Sequence, residues 1–371
     1  MRIALVTYST RPRGSVVHTL ALAEALAALG KDVTVYAVGR GDDASGLFRP
    51  IDERVEVRIV PCAVSDDIEE RVLRSIAALS RAVDPAEHDV VHAQDCIAAN
   101  AVPCCVRTVH HIDHFKTPAL ATCHERAIVS PSELVCVSQG VAEEVIAGWG
   151  RLAQVIPNGV DAARFAAAAG PDGAWHRAAW REQLGEGPLI VTVGGIEPRK
   201  GSIGLLEAMA RLRATLPSAR LVIAGGETLF DYREYREAFD LRRDELGVDV
   251  EVLGPVEHER LPALVALADV FALGSVREGF GLAAMEALAA GVPVVLRDVP
   301  VLREIFDGAA RFGSSGDALG DALVEALADD SPEQRRRGRE LATTHTWEAA
   351  ARAHVEYYEE IAGRRPLAVA A

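Results

Sequence analysis

The chain has 371 residues, is 49 % hydrophobic and 25 % charged, and carries a formal net charge of −15. That length suits two globular domains of ordinary size, and the composition excludes a disordered chain. The acidic balance excludes nucleic acid or an anionic bilayer as a bulk partner.

In chain order, the apolar run Ile3–Thr7 is a first strand. It is too short for a secretory core, and no later apolar run has the length of a membrane span. The expected location is therefore cytoplasmic, with room for peripheral membrane contact. A loop, residues 8–15, carries Arg11, Arg13 and Gly14. An amphipathic helix follows from about Val16 to Leu29, with Leu20, Ala23, Leu26 and Ala27 on one face. Gly30 closes it, and Val33–Val38 is the second strand, completing a βαβ unit. Cys62, Cys96, Cys104, Cys105, Cys123 and Cys136 all lie in the first half. A cytosolic chain keeps them reduced. Cys96, Cys104, Cys123 and Cys136 read as small buried hydrophobes, and no metal site is expected. Val106–Val109 reads as strand and leads into His110, His111, Asp113 and His114. Ser138 follows another short strand and is placed to cap the helix that begins near Val141.

The βαβ pattern then recurs. Leu189–Val193 is a strand, the loop 194–201 holds Gly195, Arg199 and Lys200, and a helix runs to about Leu216 before the strand Arg220–Ala224. Two such starts imply two parallel-sheet domains, with ligands beyond the carboxyl ends of the strands. The change-over falls between Asn158 and Gly187, giving domains 1–165 and 166–345. A last segment, 346–371, holds a helix with Trp347, Ala351, His354, Tyr358 and Ile361 in one stripe, Thr346 placed as its cap and Gly363 as its end.

The most specific signal lies at residues 277–295. Glu278 stands in a glycine-rich loop. Glu286, with seven residues between the two, is the sole charge in the apolar run Leu282–Ala290. A carboxylate in a buried helix is costly unless it is hydrogen-bonded, and a polyhydroxylated ligand would do this. Gly291 ends the helix, and Pro293 precedes the next strand. In the second βα loop, Arg199 and Lys200 precede a helix N-terminus, a placement that suits a phosphate.

This constellation resembles the E-x7-E signature of retaining glycosyltransferases of family four (glycosyl transferases group one). The resemblance implies the GT-B architecture: two facing Rossmann-like doubly wound parallel-sheet domains with a C-terminal crossover helix. It implies transfer of a sugar from a UDP- or GDP-linked donor to a small-molecule, glycan or lipid acceptor, without a separate cofactor. It casts Glu278, His110 and Lys200 as catalytic. Gly14, Arg199, Lys200, Glu278, Glu286 and the backbone of Phe280, Gly281 and Leu282 would bind the donor. Within that scheme Lys200 contacts the diphosphate, Glu278 the sugar hydroxyls and Glu286 the ribose. His111, Asp113 and His114 would shape the acceptor side, and the loop after Gly254 would lie by the base. The family's usual arginine five residues before Lys200 is replaced by Gly195, and Arg199, Arg11 or Arg13 are the available substitutes.

A dinucleotide dehydrogenase would need G-x-G-x-x-G after a strand, and a P-loop enzyme G-x4-G-K-[ST]; neither is present. A nucleotide-sugar epimerase or hydrolase of the same fold, and a noncatalytic nucleotide-sugar-binding protein, remain alternatives at this level.

Overall fold

The computed structural model describes residues 1–41, 46–113, 115, 117–226, 232–329 and 331–364. The chain divides into two compact units. The first comprises Met1–Gly159 together with Trp347–Ala371, and the second Val160–Thr346.

The first unit holds β1 (Arg2–Thr7), β2 (Asp32–Arg40), β3 (Val55–Cys62), β4 (Val90–Ala93), β5 (Val106–Val109), β6 (Glu133–Cys136) and β7 (Gln154–Val155). They form one parallel sheet in the order β3-β2-β1-β4-β5-β6-β7. The strand order reverses between β1 and β4, the topological switch at which such sheets bind ligands. β1 is a five-residue apolar run after Arg2 because both faces of the central sheet are covered. The last helix, Trp347–Arg364, belongs to this unit. Ala351, Tyr357 and Tyr358 enter the core that Leu20, Leu22 and Leu26 of the Gly14–Ala28 helix form with β1 and β2. Its buried stripe is the one expected, but Gly363 lies inside the last turn and does not end it.

Two further departures have local causes. No element is anticipated from the pattern between residues 40 and 90, yet β3 and the Ile68–Ala82 helix lie there. β3 is an edge strand whose Glu56 and Arg58 face outward and pair with each other, so it lacks the apolar run of an inner strand. Cys104 is exposed at φ 62°, a turn position, whereas Cys105 and Cys136 are buried.

The second unit holds β8 (Leu189–Val193), β9 (Arg220–Ala224), β10 (Val250–Gly254), β11 (Val270–Leu273), β12 (Val294–Arg297) and β13 (Arg311–Gly313). Their order is β10-β9-β8-β11-β12-β13, again all parallel, with the switch between β8 and β11. The Ser202–Arg213 and Gly316–Ala328 helices close one core over Ile190, Leu221, Ile223 and Val270. Among the described residues no helix is long and apolar enough to cross a membrane.

Candidate active site

In the second unit, the site grows from the loops that leave β8 and β11. A short 3-10 turn, Pro198–Lys200, leads into Gly201 at φ 62°. A β-carbon at Gly201 would collide with the Gly274 carbonyl just beyond β11. Only glycine allows this approach. It lets the Val276 N–H donate to the Arg199 carbonyl at 2.9 Å, tying the two loops together.

The tie sets the side chains. Lys200 Nζ donates to Glu278 Oε2 at 2.9 Å, and Ser275 Oγ donates to the same oxygen at 3.1 Å. Arg199 stands 3.7 Å from that oxygen and donates to Glu197 Oε1 at 2.9 Å. All four charged side chains are largely buried, so these are charge-assisted contacts in a medium less screening than water. Two anions and two cations thus face one another here. Glu197 and Ser275 were not singled out from sequence. Glu197 sits two residues before Arg199, and that proximity was the available signal.

Gly281, at φ 91°, turns the same loop into the Leu282–Ala289 helix. A β-carbon there would meet the Phe306 ring at 3.0 Å. Phe280 is buried with its ring 5.7 Å from that of His345, so its side chain is committed to packing and its backbone alone remains for a ligand. Glu286 projects from the helix into different company. Burial pushes its carboxyl up to about 7, Arg164 opposes the rise and Asp161 adds to it. The residue keeps part of its surface accessible, so the crowding is local to the carboxyl. Asp161 caps the Ala162–Ala169 helix through the Arg164 N–H at 3.1 Å. The two glutamates therefore occupy separate charge environments, one ion-paired and one titrating near neutral pH.

In the first unit, Gly14 opens the Gly14–Ala28 helix, exposed, with open space where a β-carbon would go. Neither its φ nor its neighbours demand glycine. His110 follows β5. Burial holds its imidazole down at about 3, with His111, Arg107 and His92 adding to the effect and a backbone group of Gln94 opposing it. It is therefore neutral at physiological pH. Its Nε2 is buried and without a hydrogen-bond partner. His111 Nε2 pairs with Asp113 Oδ2 at 3.1 Å. Ser138 is a helix cap, accepting from the Val141 N–H at 3.3 Å. His114 lies outside the described residues.

Two doubly wound units, the second with a cation–carboxylate cluster shared by the loops after β8 and β11, have the GT-B architecture. Residues 177–344 match the family Glycosyl transferases group 1, and residues 12–164 match Glycosyltransferase Family 4. The chain is 31 % identical over 295 residues to D-inositol 3-phosphate glycosyltransferase of Corynebacterium jeikeium, covering 70 % of this chain and 68 % of that one. It is 29 % identical over 411 residues to glycogen synthase of Mycobacterium tuberculosis H37Rv, covering 96 % and 94 %. Its fold is similar to that of Anabaena HepE, solved in complex with UDP-glucose, with TM-score 0.74, 20 % identity and coverage of 98 % and 100 %. The chain belongs to the group 1, family 4 glycosyltransferases and is a hexosyl-transferring enzyme.

Proposed function

We propose that the chain moves a hexosyl group from a nucleotide-diphosphate sugar to an acceptor hydroxyl with retention of anomeric configuration. The observation that carries this reading is the Lys200–Glu278 pair at 2.9 Å with Arg199 at 3.7 Å. A donor would exchange these partners. Its diphosphate takes the Lys200 and Arg199 cations, together with N–H groups at the start of the Leu282–Ala289 helix. Glu278, released, accepts from sugar hydroxyls and faces the developing oxocarbenium charge. Glu286 accepts from the ribose hydroxyls. In front-face attack, the bond from the anomeric carbon to the diphosphate oxygen breaks with its electron pair going to that oxygen. The acceptor oxygen bonds to the same face, and its proton passes to the departing phosphate. Neutral His110, with a bare Nε2, offers an acceptor for a sugar hydroxyl. Arg199 takes the place of the arginine that Gly195 replaces.

The relatives' names include an inositol phosphate, glycogen and a phosphatidylinositol mannoside, so the acceptor class spans small molecule, glycan and lipid. The donor is tested first. UDP-glucose or GDP-mannose should raise the unfolding temperature in proportion to affinity, and proton NMR of the product should show the donor's own anomeric configuration. An inverted product would overturn the retaining assignment. Release of free sugar alone, at a rate no acceptor changes, would favour a hydrolase.

A further inference from the structure

The first unit buries a run of aromatic nitrogens that the reaction scheme above does not use. His18, on the Gly14–Ala28 helix, is 1 % exposed, and its ring lies edge-on to that of His110 at 4.8 Å between centroids. His18 Nδ1 lies 2.9 Å from Asn158 Oδ1. With that oxygen accepting, His18 carries its proton on Nδ1, and Nε2 is a bare, buried lone pair. The Trp347 ring stands 5.2 Å away, also edge-on.

These partners occupy particular places in the chain. The chain leaves the first unit after Gly159 and returns to it at Trp347. Asn158 is thus the penultimate residue before departure and Trp347 the first on return. Just beyond, within the second unit, the Val160 N–H donates to the His345 carbonyl at 2.8 Å, so the two connecting strands run side by side. One imidazole, His18, touches both strands' last footholds in the first unit and the ring of His110.

We propose that His18 is a positioning residue for His110, fixing that ring's place and rotation relative to the two connections between the units. The proposal rests on the reading of His110 as a ligand-facing group. A buried histidine with no structural duty would be replaced at no cost by an apolar side chain of similar size, because desolvating its bare nitrogen stabilises nothing. Here the Nδ1–H is spent on Asn158, a neighbour of the connection, and the ring edge on His110.

The test is a double-mutant cycle between His18→Phe and His110→Ala. It is read as nucleoside diphosphate released from UDP-glucose and GDP-mannose with water as acceptor. His18→Phe in the otherwise unaltered chain should lower kcat by about 10- to 100-fold, the effect of misplacing a reacting group by an ångström. The donor KM should change less than about twofold. In the His110→Ala background the same change should cost less than about threefold, because its target is gone. His18→Asn, which keeps a donor at the Nδ1 position, should recover part of kcat. Equal losses in both backgrounds would overturn the proposal while leaving the role of His110 intact. A His110→Ala variant with full turnover would overturn both, without touching the assignments of Lys200 and Glu278. Should His18→Phe not fold, nitrogen NMR of the unaltered protein decides. A His18 ring that is not the fixed Nδ1–H tautomer between pH 6 and 8 would sink the idea.

Discussion

The loops at the carboxyl ends of the two sheets solve opposite problems. In the second unit, the loops after β8 and β11 carry full charges that are already matched: Lys200 and Arg199 against Glu278 and Glu197. In the first unit, Asp95 accepts from the Tyr8 and Ala98 N–H groups, but several other buried polar side chains have atoms without a partner among the described residues. Gln94 has neither amide atom bonded, Arg107 has two bare guanidinium nitrogens, and His110 and His18 each have a bare Nε2. A matched charge cluster costs little to keep and can be re-partnered by a charged ligand. A set of unmatched polar atoms costs about 1–3 kcal/mol each and waits for hydroxyls or water. The difference teaches where specificity resides. On the function proposed above, the second unit would supply the charges for a diphosphate, and the first the uncharged polar groups beside His110.

The sharpest way to break this contrast is to unbalance the matched cluster. Lys200→Ala and Glu278→Ala should each lower kcat by roughly 10²- to 10³-fold, the scale seen when one preorganised electrostatic partner is removed. Circular dichroism should show the fold intact in both. If either variant turns over at a tenth of the parent rate or better, the cluster is a structural ion pair and not a donor site.

The corresponding lesion in the first unit acts on stability instead. His92, wholly buried on β4, is hydrogen-bonded through Nδ1 to Tyr358 OH at 2.5 Å and through Nε2 to Thr108 Oγ1 at 2.7 Å, one nitrogen donating and the other accepting. Tyr358→Phe strips one partner and should cost about 1–3 kcal/mol in urea unfolding. Donor affinity should be unchanged, because no donor-binding residue is affected. A loss of nucleotide binding without a loss of stability would contradict the separation of roles.

Arg199 tests whether one loop has been rewired. It pairs with Glu197 and approaches Glu278, and the proposed function gives it the phosphate contact that Gly195 cannot make. Arg199→Ala should raise the donor KM about tenfold, and Arg199→Lys should recover only part of it, since an ammonium lacks the planar fork. An unchanged KM would leave Arg199 as a structural partner of Glu197 only.

The same contrast decided what was legible beforehand. β8, β9 and the Leu282–Ala289 helix follow from apolar runs bounded by glycines, and their ends agree with the pattern to within a residue. Lys200 and Glu278 were legible because each stands beside a glycine in a short loop. What brings them together was not: Gly201 is needed by the carbonyl of Gly274, 73 positions further on. In the first unit, the buried residues His18, His92 and Gln94 carry no local spacing that distinguishes them from surface polar residues. They are assembled by strand order and by a helix from the far end of the chain. Asp161 and Arg164 lie in the stretch the pattern marks only as the change-over between domains, yet after burial they are the charges that act on Glu286.

The last and smallest effect concerns that glutamate. Its folded carboxyl titrates at about 7, above the ordinary 4.5. The sign follows from proton uptake. Between those values the folded chain holds a proton that the unfolded chain has lost, so this group's contribution to stability falls as pH rises from about 4.5 to about 7 and then levels. Ribose hydroxyls donate to a carboxylate better than to its acid, so ligand binding runs the other way. Affinity for a nucleotide sugar, whose two phosphates do not titrate in this range, should rise about fivefold from pH 6 to pH 8 as Glu286 ionises. Glu286→Gln should abolish that slope, bind with the affinity of the low-pH form, and unfold at a higher temperature than the parent above pH 7. Calorimetric titration across the range separates the outcomes. A slope that survives in the Gln variant would assign the titration to another group and take Glu286 out of the ribose site.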